Sequence, residues 1–374
     1  LTNSHAQIRI LTLAIGVLLP AVAANARQPR PSDPPARRNL KKFDFSSYFQ
    51  LRYTAKEDSP DLYALRRFKL IFRGNLTPHF QYYAQGIFLD GNRTPIDGRA
   101  YLQEAWVRYT GWKHAHVTIG QFKPPFGMER FTPDWELFTL ERSQATGRLV
   151  PDGALGDSFS RDYGVQLDGW FDRNRSYYAM GVFAGNGANM AFRGNGPLVA
   201  GHIERVLYQA PTSSSRPAGV LVGAAVSTRQ DHDQNFATAL TGTAALGYTH
   251  FSGRDTRLNL DASADYGPAS FSGEYFYAWF EPNRAPLPEV HADGYYAQAA
   301  WRFLRVLQAV GKYEAFQPNR GSPNSDNLHW TTLGLNWYIR ENRIRLSGDY
   351  IFKRGAPATS PQNALLVQFQ FFLH

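Results

Sequence analysis

The residues LRRFKLIFRGNL, positions 65–76, restrict this chain more than any other stretch. Phe68, Leu70 and Phe72 share one parity, while Arg67, Lys69 and Arg73 share the other. Side chains alternate between faces along a strand, so a ribbon here is apolar on one side and cationic on the other. In a dry core each of those cations would need a partner or carry a heavy desolvation cost. A strand whose apolar face meets lipid and whose cationic face lines a wet lumen has neither problem.

The same period recurs along the chain. In FDFSSYFQLRYT (43–54), Phe43, Phe45, Phe49, Leu51 and Tyr53 oppose Asp44, Ser46, Gln50 and Arg52. In TTLGLNWYI (331–339), Leu333, Leu335, Trp337 and Ile339 oppose Thr332, Asn336 and Tyr338. RIRLSGDYIF (343–352) and LLVQFQF (365–371) repeat the pattern. Most runs are about ten residues long, the length of a tilted strand crossing a bilayer. Strands of soluble proteins are shorter, about five or six residues. A soluble β-sandwich with one solvated face is the alternative, and it rarely sustains such lengths.

Tight breaks at 77–79, 111–113, 172–175 and 340–342 alternate with longer ones at 55–63, 91–99, 186–197, 282–292 and 317–327. Short turns on one side and long loops on the other describe an up-and-down barrel. Seventeen runs can be counted, starting near 43, 64, 79, 100, 114, 161, 176, 198, 219, 241, 255, 269, 293, 306, 328, 343 and 364. Bacterial single-chain barrels have even strand numbers. The weakest run, 235–252, places small residues at both parities and is assigned mostly to a loop. The expected fold is therefore all-β, a transmembrane antiparallel β-barrel of about 16 strands.

The N-terminal region reads differently. Arg9 precedes the apolar run ILTLAIGVLLPAVAA (10–24), and the small-x-small pattern ANA (24–26) follows. This predicts a secretory signal peptide over 1–26, against the alternative of a retained anchor. Residues 27–42, RQPRPSDPPARRNLKK, have no apolar periodicity and read as a flexible periplasmic tail. Residues 43–374 form the barrel domain. Residues 1–42 hold seven Lys/Arg and one Asp, so most of the formal charge of +9 lies outside the barrel. That charge is no argument for nucleic-acid binding. With no cysteine, thiolate metal sites and disulfides are excluded.

One gap breaks the rhythm. Residues 122–160 separate two strand runs, and a connection so long inside a compact domain is usually functional. Phe126, Phe131, Trp135, Leu137 and Phe138 predict a packed loop, folded inward as a constriction. An external loop covering the barrel mouth is the alternative.

The segment GQFKPPFGMER (120–130), followed by LFTLERS (137–143), resembles the signature of the phosphate-selective porin O/P family. LRRFKLIFRGNL before it agrees, as do YAMGVFAGNG (178–187), FSGEY (271–275) and DGYYAQAAWRF (293–303). The resemblance spans about residues 43–374. It implies a bacterial outer-membrane porin, usually a homotrimer, that passes anions with phosphate or pyrophosphate as the best-known cargo. Members hold phosphate with arginines and a lysine, with more lysines near the mouth. Here the stretches 91–99, 186–197 and 317–327 contain no Lys, which leaves the preference among anions open.

Arg forks match phosphate oxygens, and rings of Arg and Lys build anion selectivity. The candidate selectivity residues are Arg52, Arg67, Lys69 and Arg73 on the wall, with Arg108 from the fourth strand. Lys123, Arg130 and Arg142 join them from the loop. The competing role is structural: MER and LER place a Glu directly beside each loop Arg, and such pairs can pin a loop. No cofactor, metal or catalytic residue is expected. His114 and His116 share a strand face without an evident third ligand, and no G-x-S-x-G is present. A barrel enzyme and a small, plugged structural barrel are the remaining alternatives.

Overall fold

The structure, a computed structural model, describes residues 42–373 except 58, 91–99, 151–160, 191–193, 211–217, 236–239, 241–247, 285, 321–326 and 356–362. The expected signal peptide, nearly all of the tail and the last ten residues of the 122–160 loop lie outside the described residues.

Sixteen strands close on themselves. They are β1 (Asp44–Lys56), β2 (Ser59–Thr77), β3 (Phe80–Asp90), β4 (Tyr101–Tyr109), β5 (His116–Phe122) and β6 (Asp162–Phe171). Next come β7 (Ser176–Phe183), β8 (Leu198–Gln209), β9 (Ala218–Asn235), β10 (His250–Tyr266) and β11 (Ala269–Pro282). The last are β12 (Val290–Phe303), β13 (Leu307–Gln317), β14 (Leu328–Asn342), β15 (Ile344–Gly355) and β16 (Ala364–Leu373). Every strand pairs antiparallel with its neighbours in the chain, and β1 meets β16 with Phe49 opposite Phe371. Closure leaves no free edge, as a hydrocarbon environment requires.

Alternation sorts the two faces. Along β14, Leu333, Leu335, Trp337 and Ile339 point outward and are about half exposed, while Thr332, Asn336 and Tyr338 are buried. Along β15, Arg345, Ser347 and Asp349 are buried on the inner face. Aromatic rings cluster near both barrel ends. Phe80, Tyr109 and Trp112 stand together near one end, with ring centroids 5.1 and 5.2 Å apart. Tyr53 and Tyr63 pair at 4.8 Å near the other. Such girdles sit at the two interfaces of a bilayer.

The tight turns form because their residues accept left-handed backbone. Asp172, Arg173 and Asn174 have φ of 49–63°, and Leu304 and Arg305 have φ of 49° and 59°. The expected break at 55–63 is far shorter, since β1 runs to Lys56 and β2 resumes at Ser59. Likewise β10 starts at His250 rather than near 255. Beyond the bilayer both strand faces meet water, so the ladder continues where the apolar alternation has ended.

The outward apolar face yields a direct test. Leu335→Arg near the middle of β14 should destabilise the folded barrel by about 2–4 kcal/mol, the cost of a cation at mid-bilayer. Urea titration of protein folded into lipid vesicles measures it, with a small change expected for Thr332→Ser on the inner face.

Candidate functional site

The described part of the long loop, residues 123–150, lies inside the barrel. Asp134 contacts β1 and β2: its carboxylate accepts from Tyr48 Oη at 3.0 Å and Lys69 Nζ at 2.5 Å. Leu149 O accepts from Arg257 on β10 at 3.0 Å. β2 and β10 lie eight strands apart in either direction around the ring. The loop therefore crosses the lumen from wall to wall.

Local chemistry shapes the crossing. Gly127 has φ of 79°, and the turn it permits aims the Met128 and Glu129 N–H groups at Glu274 on β11, at 2.6 and 2.5 Å. A short helix, α1 (Gln144–Leu149), follows, capped by Ser143, whose Oγ accepts from Thr146 N at 3.1 Å. Ala145 and Leu149 of α1 pack with Phe126, Phe276, Phe280 and Phe316 into an apolar cluster within the barrel.

The loop's aromatic residues divide. Phe126 is fully buried, with its ring centroid 6.2 Å from that of Phe276. Trp135 sits edge-on to Tyr48 and beside Phe372. Phe131 lies under the Lys123 ammonium, 5.6 Å from the ring centre. Phe138 contributes its carbonyl, which accepts from Asn336 Nδ2 at 2.8 Å.

Four of the eight candidate cations, Arg52, Arg67, Lys69 and Arg142, meet at Asp134 and Glu141 where the loop meets β1 and β2. Lys123 and Arg130 of the loop act electrostatically with Arg142. Asp134 pairs with Lys69, with Arg142 Nη1 at 2.6 Å and with Arg67 Nε at 3.7 Å. Burial alone would raise the Asp134 carboxyl, but Lys69, Arg67 and Arg142 hold it well below the usual carboxylate range. Arg52 pairs with Glu141 and anchors on Gln368 at 2.6 Å. Lys123 Nζ donates to Arg130 O at 3.0 Å. Burial, reinforced by Arg161, Arg130 and Arg142 against the pull of Glu104, pushes the Lys123 ammonium well below the ordinary lysine range.

The other two candidates stand apart. Arg73 pairs with Asp44, the first residue of β1, at 2.7 Å. Arg108 pairs with Asp168 of β6 and donates toward His116 Nδ1 at 3.0 Å. The cationic face of β2 is also drier than expected. Arg67 and Lys69 are 6% and 4% exposed, because the loop lies over them and supplies Asp134 in place of water. In the LER stretch, Glu141 and Arg142 turn to different partners. Arg142 reaches Asp134, Glu141 reaches the wall, and Glu129 accepts from Ser143 N at 2.9 Å.

Two cations were missed. Arg66 has the parity of the lipid-facing Phe68 yet is buried on the inner face, 3.4 Å from Glu141. A β-bulge between Gln50 and Leu51 pairs Gln50 with Arg67 and Leu51 with Leu65, which turns Arg66 inward. Arg161, just beyond the loop, chelates Glu104 Oε1 at 3.0–3.1 Å. It acts electrostatically on both Lys69 and Lys123.

Arg52, Arg67, Lys69, Lys123, Arg130 and Arg142 thus form one electrostatic neighbourhood with Arg66 and Arg161, within which burial disfavours the charge of Lys123. All carboxylates of the described loop, namely Glu129, Asp134, Glu136 and Glu141, together with Glu104 number five. On the β1–β2 flank the basic residues outnumber the acids they pair with, Asp134, Glu141 and Glu104.

A closed barrel of sixteen antiparallel strands with a lipid-compatible exterior and an internal transverse loop defines an outer-membrane porin. The chain belongs to the family of phosphate-selective porins O and P, whose family model matches residues 42–372. Porin O of Pseudomonas aeruginosa is 25% identical over 363 residues, covering 82% of this chain and 80% of that protein. Among solved structures, the anion-selective porin from Comamonas acidovorans aligns with a TM-score of 0.62 at 13% identity, over 88% of this chain and 99% of its own. OmpF of Salmonella typhi, in complex with daunomycin, aligns at 0.63 and 12% identity, over 90% and 98%. OmpT of Vibrio cholerae, in a trimer form, aligns at 0.59 and 11% identity, over 88% and 99%.

Asp134 is the hub that neutralises three cations at once. Asp134→Ala should lower stability by about 3 kcal/mol, since breaking a buried pair leaves uncompensated charge. Thermal unfolding in detergent at pH 7 measures the loss. Because the folded-state carboxyl is held low, its contribution is complete above about pH 4 and fades as pH falls through the depressed value. The gap between wild type and variant should narrow correspondingly below about pH 4.

Proposed function

We propose that this porin is an anion-selective outer-membrane channel for passive diffusion of phosphate, pyrophosphate or similar small oxyanions. The carrying observation is the excess of cations over carboxylates where the transverse loop meets β1 and β2. Anions crossing there meet a fixed positive field in a space narrowed by protein, where charge is poorly screened. Arg52, Arg67, Lys69, Lys123, Arg130 and Arg142 would generate it together with Arg66 and Arg161. Arg73 and Arg108, each paired elsewhere, would add charge along the approach. The family name and Porin O support phosphate-like cargo, and the Comamonas porin supports the sign of the selectivity.

The chain would be exported by its N-terminal signal peptide and would sit in outer-membrane lipid as a homotrimer. The OmpT trimer form supports that assembly. No cofactor, nucleic acid or catalytic step enters this reading.

A second reading, a diffusion pore for small organic anions without phosphate specificity, is favoured by one observation. Several of these cations are already matched to carboxylates, and 91–99, 186–197 and 317–327 offer no lysine to gather phosphate.

The test is a reversal potential in a planar bilayer under a potassium chloride gradient. Anion preference is the expected outcome, and Arg66→Glu should lower the chloride-to-potassium permeability ratio roughly threefold. A wild-type pore preferring potassium, or showing no preference, would overturn the anion reading.

A further inference from the structure

The two loop carboxylates that meet the wall cations differ in one decisive respect. Asp134 is enclosed, its side chain 13% exposed, hydrogen-bonded to Tyr48, Lys69 and Arg142 and ion-paired with Arg67. Glu141 leaves 37% of its side chain exposed. One oxygen of Glu141, Oε1, receives both Arg52 and Arg66. Arg52 is held independently by Gln368 through Nε at 2.9 Å and Nη2 at 2.6 Å.

The backbone beneath Glu141 does not depend on its carboxylate. Leu140 N donates to Asp349 at 2.6 Å, and Leu140 O accepts from Arg52 at 3.2 Å. Glu141 O accepts from Lys312 Nζ at 2.8 Å and from Thr139 Oγ1 at 2.9 Å. The side chain is thus carried on a fixed support. Its acid group is ionised: burial would raise it, but Arg52 and Arg66 outweigh burial and hold it low.

The geometry points to Glu141 as a tethered internal anion that occupies an Arg52–Arg66 oxyanion site and sets how tightly the pore holds a permeating anion. The inference rests on the anion-channel reading and adds a specificity-determining residue to it. A carboxylate and a phosphate present the same kind of oxygen acceptor to guanidinium groups. A group tethered nearby competes at an effective concentration of roughly millimolar or higher. A free oxyanion must displace it or settle for the outer field, so binding is weak and release is fast. Replacing the acid by its amide keeps the shape and the backbone supports, removes the competing charge and leaves both guanidinium groups for the solute.

The experiment uses the purified full-length porin in planar bilayers, with inorganic phosphate titrated against chloride current at neutral pH. Glu141→Gln and Glu141→Ala are made together, so that a folding failure in one leaves the other to read. Either should lower the half-blocking phosphate concentration about tenfold, the scale of one strong charge-assisted contact. Glu141→Asp, which keeps the charge, should retain weak block. Adding Arg66→Gln to the neutral variants should erase the gain. Unchanged block in the folded neutral variants would overturn the inference while leaving the anion channel standing. A gain that persists without Arg66 would also overturn it, by tracing the effect to net charge alone. A wild-type pore that prefers potassium would overturn the channel reading and this inference with it.

Discussion

The barrel depends on hydrogen bonding between its wall and a main chain that has no sheet to belong to. A loop crossing the lumen carries donors and acceptors into a place where burial without partners is costly. The wall supplies those partners in a sorted way. Loop N–H groups meet carboxylates: Glu274 takes Met128 and Glu129, Asp349 takes Leu140, and Glu314 takes Gln144. Loop carbonyls meet donors: Arg345 reaches Leu137, Asn336 reaches Phe138, Lys312 reaches Glu141 and Gln370 reaches Trp135. Beside the apolar patch that packs on α1, the inner faces of β10–β16 carry polar side chains that solvate the loop's main chain. Their side chains are consequently nearly inaccessible, as Gln370 at 1% and Arg345 at 1% illustrate.

This accounts for the placement of charge. Along β11, β13 and β15 the wall acids are directed at backbone N–H groups. Along β1 and β2 the wall offers cations, and the loop answers chiefly with side chains, Leu140 O on Arg52 being its main-chain contact there. Asp134 and Glu141 lie on that flank, where ion pairing offsets the desolvation of Lys69, Arg67 and Arg52. The loop is held mainly through its main chain on one side and mainly through side-chain salt bridges on the other. On the second side the positive excess and the structural anchoring use the same residues without being the same thing.

The fold was legible because a lipid-facing strand must repeat every two residues across the bilayer, and Leu333, Leu335, Trp337 and Ile339 do so without interruption. The count of sixteen was recovered by discounting 235–252, whose small residues give neither face a character. The parts that escaped are those that parity does not encode. A bulge is a property of a strand pair, so the parity of its own strand places Arg66 with Phe68, while its neighbour β1 turns it inward. Parity also gives the face and not the height. Arg108 points inward as expected, yet it pairs with Asp168 rather than joining the cluster. Within the loop, adjacency misled: Arg142 finds Asp134, eight residues back, because the loop's turns bring those side chains to the same point.

Exposure, more than partner count, separates anchoring from selectivity in such a cluster. A cation that is both enclosed and paired has surrendered most of its field to its partner, since opposite charges in contact cancel at a distance. Lys69 and Asp134 fit that description, which makes Lys69 a weaker contributor to the pore's field than Arg66, whose partner Glu141 is open. A pair with one member open to water is different, because its carboxylate can be exchanged for a solute without the main chain moving. Arg52, Arg66 and Glu141 fit this one, with Lys312 and Asp349 holding the loop from behind. The pore's affinity for anions is then governed less by how many cations line it than by which of its own acids can be displaced. Two porins with the same basic residues can therefore bind phosphate very differently if one of them carries a tethered carboxylate that the other lacks.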